Sequence, residues 1–130
     1  MEAPGAKQGD QVVGIDVHVV MIPSPAGPVP TPVPMPFNGQ LSQGLSGSVL
    51  IEDKAAAVEG SVATNSPAHI PAGGPFYKPP SNQATISRGS ETVLIENKPA
   101  ARMGDPAKTC NDPEDAPNGV VIGASSVLIG

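Results

Sequence analysis

Short apolar runs, each closed by a glycine, alternate along the chain with long proline-rich stretches, and the runs repeat. Ser48 to Gly60 reads SVLIEDKAAAVEG and Thr92 to Gly104 reads TVLIENKPAARMG, at a constant spacing of 44 residues. A third, partial copy closes the chain as Ser126-Val127-Leu128-Ile129-Gly130, and each copy follows a glycine- or serine-rich lead. Three copies of one unit are a strong architectural signal. Val-Leu-Ile-Glu is short, apolar and β-branched, so it predicts a strand. Asp53 and Asn97 stand where the chain must reverse, and both types tolerate positive φ, so a tight hairpin turn is expected there. Ala55 to Val58 and Pro99 to Met103 form the return strands, which Gly60 and Gly104 end. No window shows helical periodicity.

The segments between repeats differ in character. Residues 1–11 are polar and small and read as a flexible N-terminal arm. Val12 to Ile22 is apolar and β-rich, with Asp16 and His18 as exceptions, and reads as a strand. Residues 23–36 hold seven prolines, which predicts polyproline II or an extended strap. Residues 65–82, with five prolines, and the acidic residues 104–119 read as long loops. Loops this long in a small domain suggest that something else fixes them.

Composition narrows the function classes. In 130 residues there are 15 Gly, 17 Pro and only three aromatics, Phe37, Phe76 and Tyr77. Leu, Ile, Val and Phe together make up 22% of the chain, close to the level at which chains lose a packed core. A thick core is therefore not expected, and a proline-rich adaptor that is disordered until it meets a partner stands as the alternative reading. The net charge of −5 and the scattered Lys and Arg argue against nucleic-acid binding. One cysteine, Cys110, excludes an intrachain disulfide. No apolar run is long enough for a membrane helix, and no secretory signal is visible, so synthesis in the cytoplasm is expected. Walker, dinucleotide and nucleophile-elbow patterns are missing, and no enzyme activity is expected. The PxxP match at Pro25 to Pro28 is unspecific in so proline-rich a chain. The acidic run Asn111 to Asp115 lacks the spacing of a calcium loop and reads as a solvated face.

The stretch ISRGSETVLIENKPAARMGDPAKTC, Ile86 to Cys110, resembles the PAAR family, with the naming motif at Pro99-Ala100-Ala101-Arg102 and Gly104-Asp105 after it. Ala55-Ala56-Ala57-Val58 is a degenerate copy, and GASSVLIG looks like a truncated last repeat. The resemblance covers residues 12–130, with repeat units near 44–64, 86–107 and 119–130. It implies an all-β fold, a small three-sided pyramid or cone of three pseudo-repeated β-hairpin units with proline-rich loops. It also implies a mechanical role as a spike-tip protein. Such a protein caps and sharpens the trimeric β-helical spike of a contractile injection system, whether a type VI secretion system, a phage tail or an extracellular injection particle. The implied partner is a trimeric VgrG-like or phage-spike-like protein, capped by one copy at the broad base, with a target membrane met only during puncture. Assembly at the particle tip and delivery outside or into a target cell follow from the same role.

The family knots its tip with a metal held by histidines and a cysteine. By position the resemblance marks His18, His69 and Cys110 as ligands of a structural zinc, with iron as the other candidate. The family's further histidine is missing, so the fourth ligand is open between Asp16, Asp112, a water and a main-chain oxygen. The bland reading stands beside it: His18 packed in a strand, His69 in a solvent loop, Cys110 a buried thiol.

Overall fold

A computed structural model describes residues 2–130, and every regular element in it is a strand. Three of the hairpins are very short. β4 (Leu50–Ile51) pairs with β5 (Lys54–Ala55), β8 (Leu94–Ile95) with β9 (Lys98–Pro99), and β12 (Leu128–Ile129) with β1 (Ala3–Pro4). The two contiguous hairpins turn as their residues predict. Glu52 and Asp53 have φ of 51° and 68°, and Glu96 and Asn97 have 52° and 66°, the left-handed pair that a two-residue hairpin needs.

The third hairpin is assembled from the two ends of the chain. Residues 3–10 are therefore not the flexible arm that their composition suggested (Met1 lies outside the described residues). They complete the third repeat: Gly5-Ala6-Lys7-Gln8-Gly9-Asp10 takes the place that Ala100 to Asp105 and Ala56 to Ser61 hold in the other two. The backbone shows the equivalence directly. Ala6 N–H donates to Ala101 C=O, Ala101 N–H to Ala57 C=O, and Ala57 N–H to Ala6 C=O, at 2.9, 3.0 and 3.0 Å. This closed ring of three hydrogen bonds defines a pseudo-threefold axis. Three backbones converge on it, and all three side chains are fully buried, so only a small residue fits without forcing the backbones apart. Three glycines with φ between 89° and 96°, Gly9, Gly60 and Gly104, follow at equivalent turns. Their N–H groups donate to Leu41, Ile86 and Val121 C=O.

Beyond the ring the chain forms a closed six-stranded barrel in the order β10-β11-β2-β3-β6-β7, again three antiparallel hairpins. The first is the longest, β2 (Gln11–Ile22) against β3 (Val29–Gln43), in unbroken register from Gln11↔Gln40 to Ile22↔Val29. β6 (Val62–Asn65) with β7 (Gln83–Ile86), and β10 (Pro106–Thr109) with β11 (Ala116–Ile122), supply the other two. Residues 29–36 are thus a paired strand rather than a polyproline strap. Of the four barrel strands outside the first hairpin, β10 and the first four residues of β11 lie in the stretch read as an acidic loop. The core is thin and falls into two clusters. Phe37, Leu41, Ile86, Val12 and Val121 fill the barrel down to the alanine ring, and Ile51, Ile95 and Ile129 fill the layer under the short hairpins. Each such burial is worth about 1.5–3 kcal/mol. A closed barrel with this core is at odds with the disordered-adaptor alternative.

Candidate metal centre

β2 leaves the alanine ring at Gln11 and runs away from the short hairpins. Its period-two alternation turns Asp16 and His18 to the same inner face, and both are buried, at 0% and 1% exposure. His69 comes from the loop after β6 and Cys110 from the residue after β10. The structure brings together all three residues that the sequence singled out, and adds Asp16. One donor atom from each of Asp16, His18, His69 and Cys110 lies within 4.8 Å of the others. Asp16 Oδ2 is the hub: 3.0 Å from His69 Nε2, 3.5 Å from Cys110 Sγ and 3.9 Å from His18 Nε2. Cys110 Sγ is 3.6 Å from His18 Nε2.

Neighbours orient two of these side chains, Asp16 and His69. Thr109 Oγ1 donates to Asp16 Oδ1, leaving Oδ2 to face the cluster. Asn38 N–H donates to Asn65 Oδ1, which turns the Asn65 amide nitrogen to His69 Nδ1 at 3.3 Å. Without a metal, His69 therefore carries its proton on Nε2 and donates it to Asp16. His18 Nδ1 is buried with no hydrogen-bond partner among the described residues, 3.7 Å from Asp112 Oδ2. Asp112 is the fourth-ligand candidate that the structure places behind the histidine rather than in the donor set, where a carboxylate orients a ligating imidazole. Asp112 Oδ2 also accepts the Val19 N–H at 2.8 Å. The ring of Phe76 closes the site edge-on to His18.

Burial, with the nearby Asp16 carboxylate, pushes the Cys110 thiol up to about 11. Burial also lowers His18, helped by His69 and opposed by Asp112 and Asp16. A thiol this protonated is inert as a nucleophile and becomes a thiolate only when a cation displaces the proton.

The donor chemistry suits a tetrahedral ion. Bond lengths of about 2.0–2.3 Å place the ligand atoms of such an ion about 3.3–3.6 Å apart; of the six separations here, four run from 3.0 to 3.9 Å and all lie within 4.8 Å. Two imidazoles, a thiolate and a carboxylate are a zinc-type set that also suits iron. To admit an ion, the Cys110 thiol would lose its proton and the His69 proton would move from Nε2 to Nδ1, since histidine ligates as a neutral imidazole.

A family profile described as the PAAR motif matches residues 21–108 and, in a second match, 77–130. The chain belongs to the PAAR-motif family. A search of the curated proteins finds no match. PAAR proteins are structural spike components of contractile injection systems rather than enzymes, and they associate with spike proteins. The all-β architecture of this PAAR chain agrees with that membership. No helix among the described residues is long and apolar enough to cross a membrane.

Sequence reasoning left Asp16 as one of several fourth-ligand options. Its i, i+2 spacing from His18 on a predicted strand was a signal that could have put both on one face, though not which of its oxygens faces the cluster.

Proposed function

We propose that this PAAR chain sits as a single copy on a trimeric spike, its short hairpins forming the docking face and its metal centre knotting the opposite end. The observation that carries the reading is threefold repetition within one chain. Leu50, Leu94 and Leu128 hold the same position in the three short hairpins and are exposed to 61%, 61% and 58%. Three equivalent apolar side chains spread around an axis are poorly placed in water and match three equivalent strand ends of a trimer. A contact of this kind lets one chain satisfy three subunits at once, while the hairpin edges gain strand partners.

His18, His69, Cys110 and Asp16 would hold the ion, which supplies a rigid cross-link between β2, the loop after β6 and the segment after β10. Zinc is the first choice and iron the second. The role is mechanical: a small domain with few large core residues resists deformation at its point through such a staple. Assembly at the tip of an injection particle, and delivery outside or into a target cell, follow from that place.

Mixing the purified chain with a trimeric spike protein and separating by size tests the reading. Co-elution of the two, abolished when Leu50, Leu94 and Leu128 are all changed to Asp, is the expected result. Separate elution of the folded wild-type chain from every candidate spike would overturn it.

A further inference from the structure

The prolines of β3 follow a rule that the spike-tip reading does not require. In an antiparallel ladder, alternate residues direct N–H and C=O toward the partner strand, and those between direct them away. On β2, the Val17, Val19 and Met21 N–H groups point away from β3. They donate to Asn111 Oδ1 at 2.7 Å, Asp112 Oδ2 at 2.8 Å and Pro75 C=O at 2.8 Å. Their register partners on β3 are Pro34, Pro32 and Pro30, and Pro36 opposite Ile15 is in the same phase. These four positions are where the β3 backbone nitrogen faces outward.

β6 covers that outer edge only from Gly39 to Gln43. Along the uncovered length, every outward position from 30 to 36 is proline, and the intervening Thr31, Val33 and Met35, which bond to β2, are not. The rule stops where cover begins: Asn38, the next outward position, has an N–H, and it donates to Asn65 Oδ1 at 2.9 Å. Proline therefore removes the outward donors of the bare edge while costing the β2–β3 ladder nothing.

We infer that this alternation is an edge block that keeps a second copy of the chain from adding a strand to β3. An edge with acceptors but no donors cannot complete a ladder with an incoming strand. The hairpin, whose β2 edge is covered by residues 75–77 and 111–112, can therefore leave its β3 edge bare without templating its own aggregation. Association through strand edges is left to the short hairpins at the other end.

The test restores the donors. The variant Pro30→Thr, Pro32→Thr, Pro34→Thr is compared with Pro30→Lys, Pro32→Lys, Pro34→Lys, which restores the same N–H groups but adds repelling charge. In sedimentation velocity across a concentration series, the wild type and the Lys variant are expected to remain monomeric. The Thr variant should reach at least twice the monomer mass, with amides 30, 32 and 34 slowed in hydrogen exchange as it associates. A Thr variant that keeps the wild-type circular dichroism and stays monomeric throughout would overturn the inference. Should the triple variant fail to fold, Pro32→Thr alone decides. Its amide 32 should exchange freely in the monomer; strong protection there would mean that the position does not face an open edge.

Discussion

The two ends of this molecule are built on opposite principles. At the base everything occurs three times: three hairpins, three axial alanines, and three glycine turns each closed by a side chain at its last position. Lys7 N–H donates to Asp10 Oδ2, Val58 N–H to Ser61 Oγ and Arg102 N–H to Asp105 Oδ2. At the apex nothing repeats. His18, His69 and Cys110 come one from each barrel hairpin region, yet they differ in residue type and in the length of chain that carries them. Under the proposed docking, a surface that meets a trimer has to be repeated, whereas a point has only to be closed. Repetition at the base is not identity either. Gly5 stands where Ala56 and Ala100 stand, because a Cβ there would lie 2.8 Å from Ile129 Cδ1 and 2.9 Å from Ile51 Cδ1.

Changes at the apex should have the largest effect on stability. On the proposed metal centre, Cys110→Ser, or chelation of the wild type, should remove the ion and lower the melting temperature by at least about 10 °C, since structural zinc sites contribute many kcal/mol to folding. Elemental analysis beside a thermal melt checks both. An unchanged melt after complete metal removal would mean that the apex stands on its hydrogen bonds alone.

Ala57→Leu at the axis comes next. It should cost about 3 kcal/mol in denaturant unfolding, because three backbones meet there and none can move without breaking the ring. Leu50→Ile at an outward-facing position, by contrast, should change stability by less than about 0.5 kcal/mol.

The third change separates binding from folding. Changing Leu50, Leu94 and Leu128 to Asp should weaken spike binding by at least about tenfold, a loss of roughly 1.4 kcal/mol or more, while the melt moves little. Calorimetric titration against the spike, run beside the melt, reads the two effects apart. The smallest effect tests the equivalence of the turns. Asp105→Ser places at the third turn the residue that serves at Ser61, and should cost no more than about 1 kcal/mol, mainly through loss of the Arg102–Asp105 ion pair at 3.0 Å.

What the sequence revealed follows the same division. The two contiguous hairpins were legible because both halves of each are adjacent in the chain, with Asp53 and Asn97 marking the turns. The third was read only by half. Its return strand lies at the other end of the chain, and Ala6-Lys7-Gln8-Gly9-Asp10 resembles Ala101-Arg102-Met103-Gly104-Asp105 only when the chain is read as circular. β6, β7 and β10 are four residues each, too short for an alternation pattern to stand out, and a barrel closes through pairings distant in sequence. β3 was obscured by its prolines, whose presence argues against a central strand but not against one with a bare edge. Three residues of the cluster, His18, His69 and Cys110, could be picked out through family resemblance and residue type. Asp16 needed the fold, because only the inward turn of β2 and the Thr109 hydroxyl aim its second oxygen at Cys110 and His69.

Native mass spectrometry of the chain with a trimeric spike protein tests the central claim most directly. The account predicts one chain and one metal ion for every three spike subunits. A complex with three chains per trimer would contradict it, since internal repetition would then have no threefold surface to match.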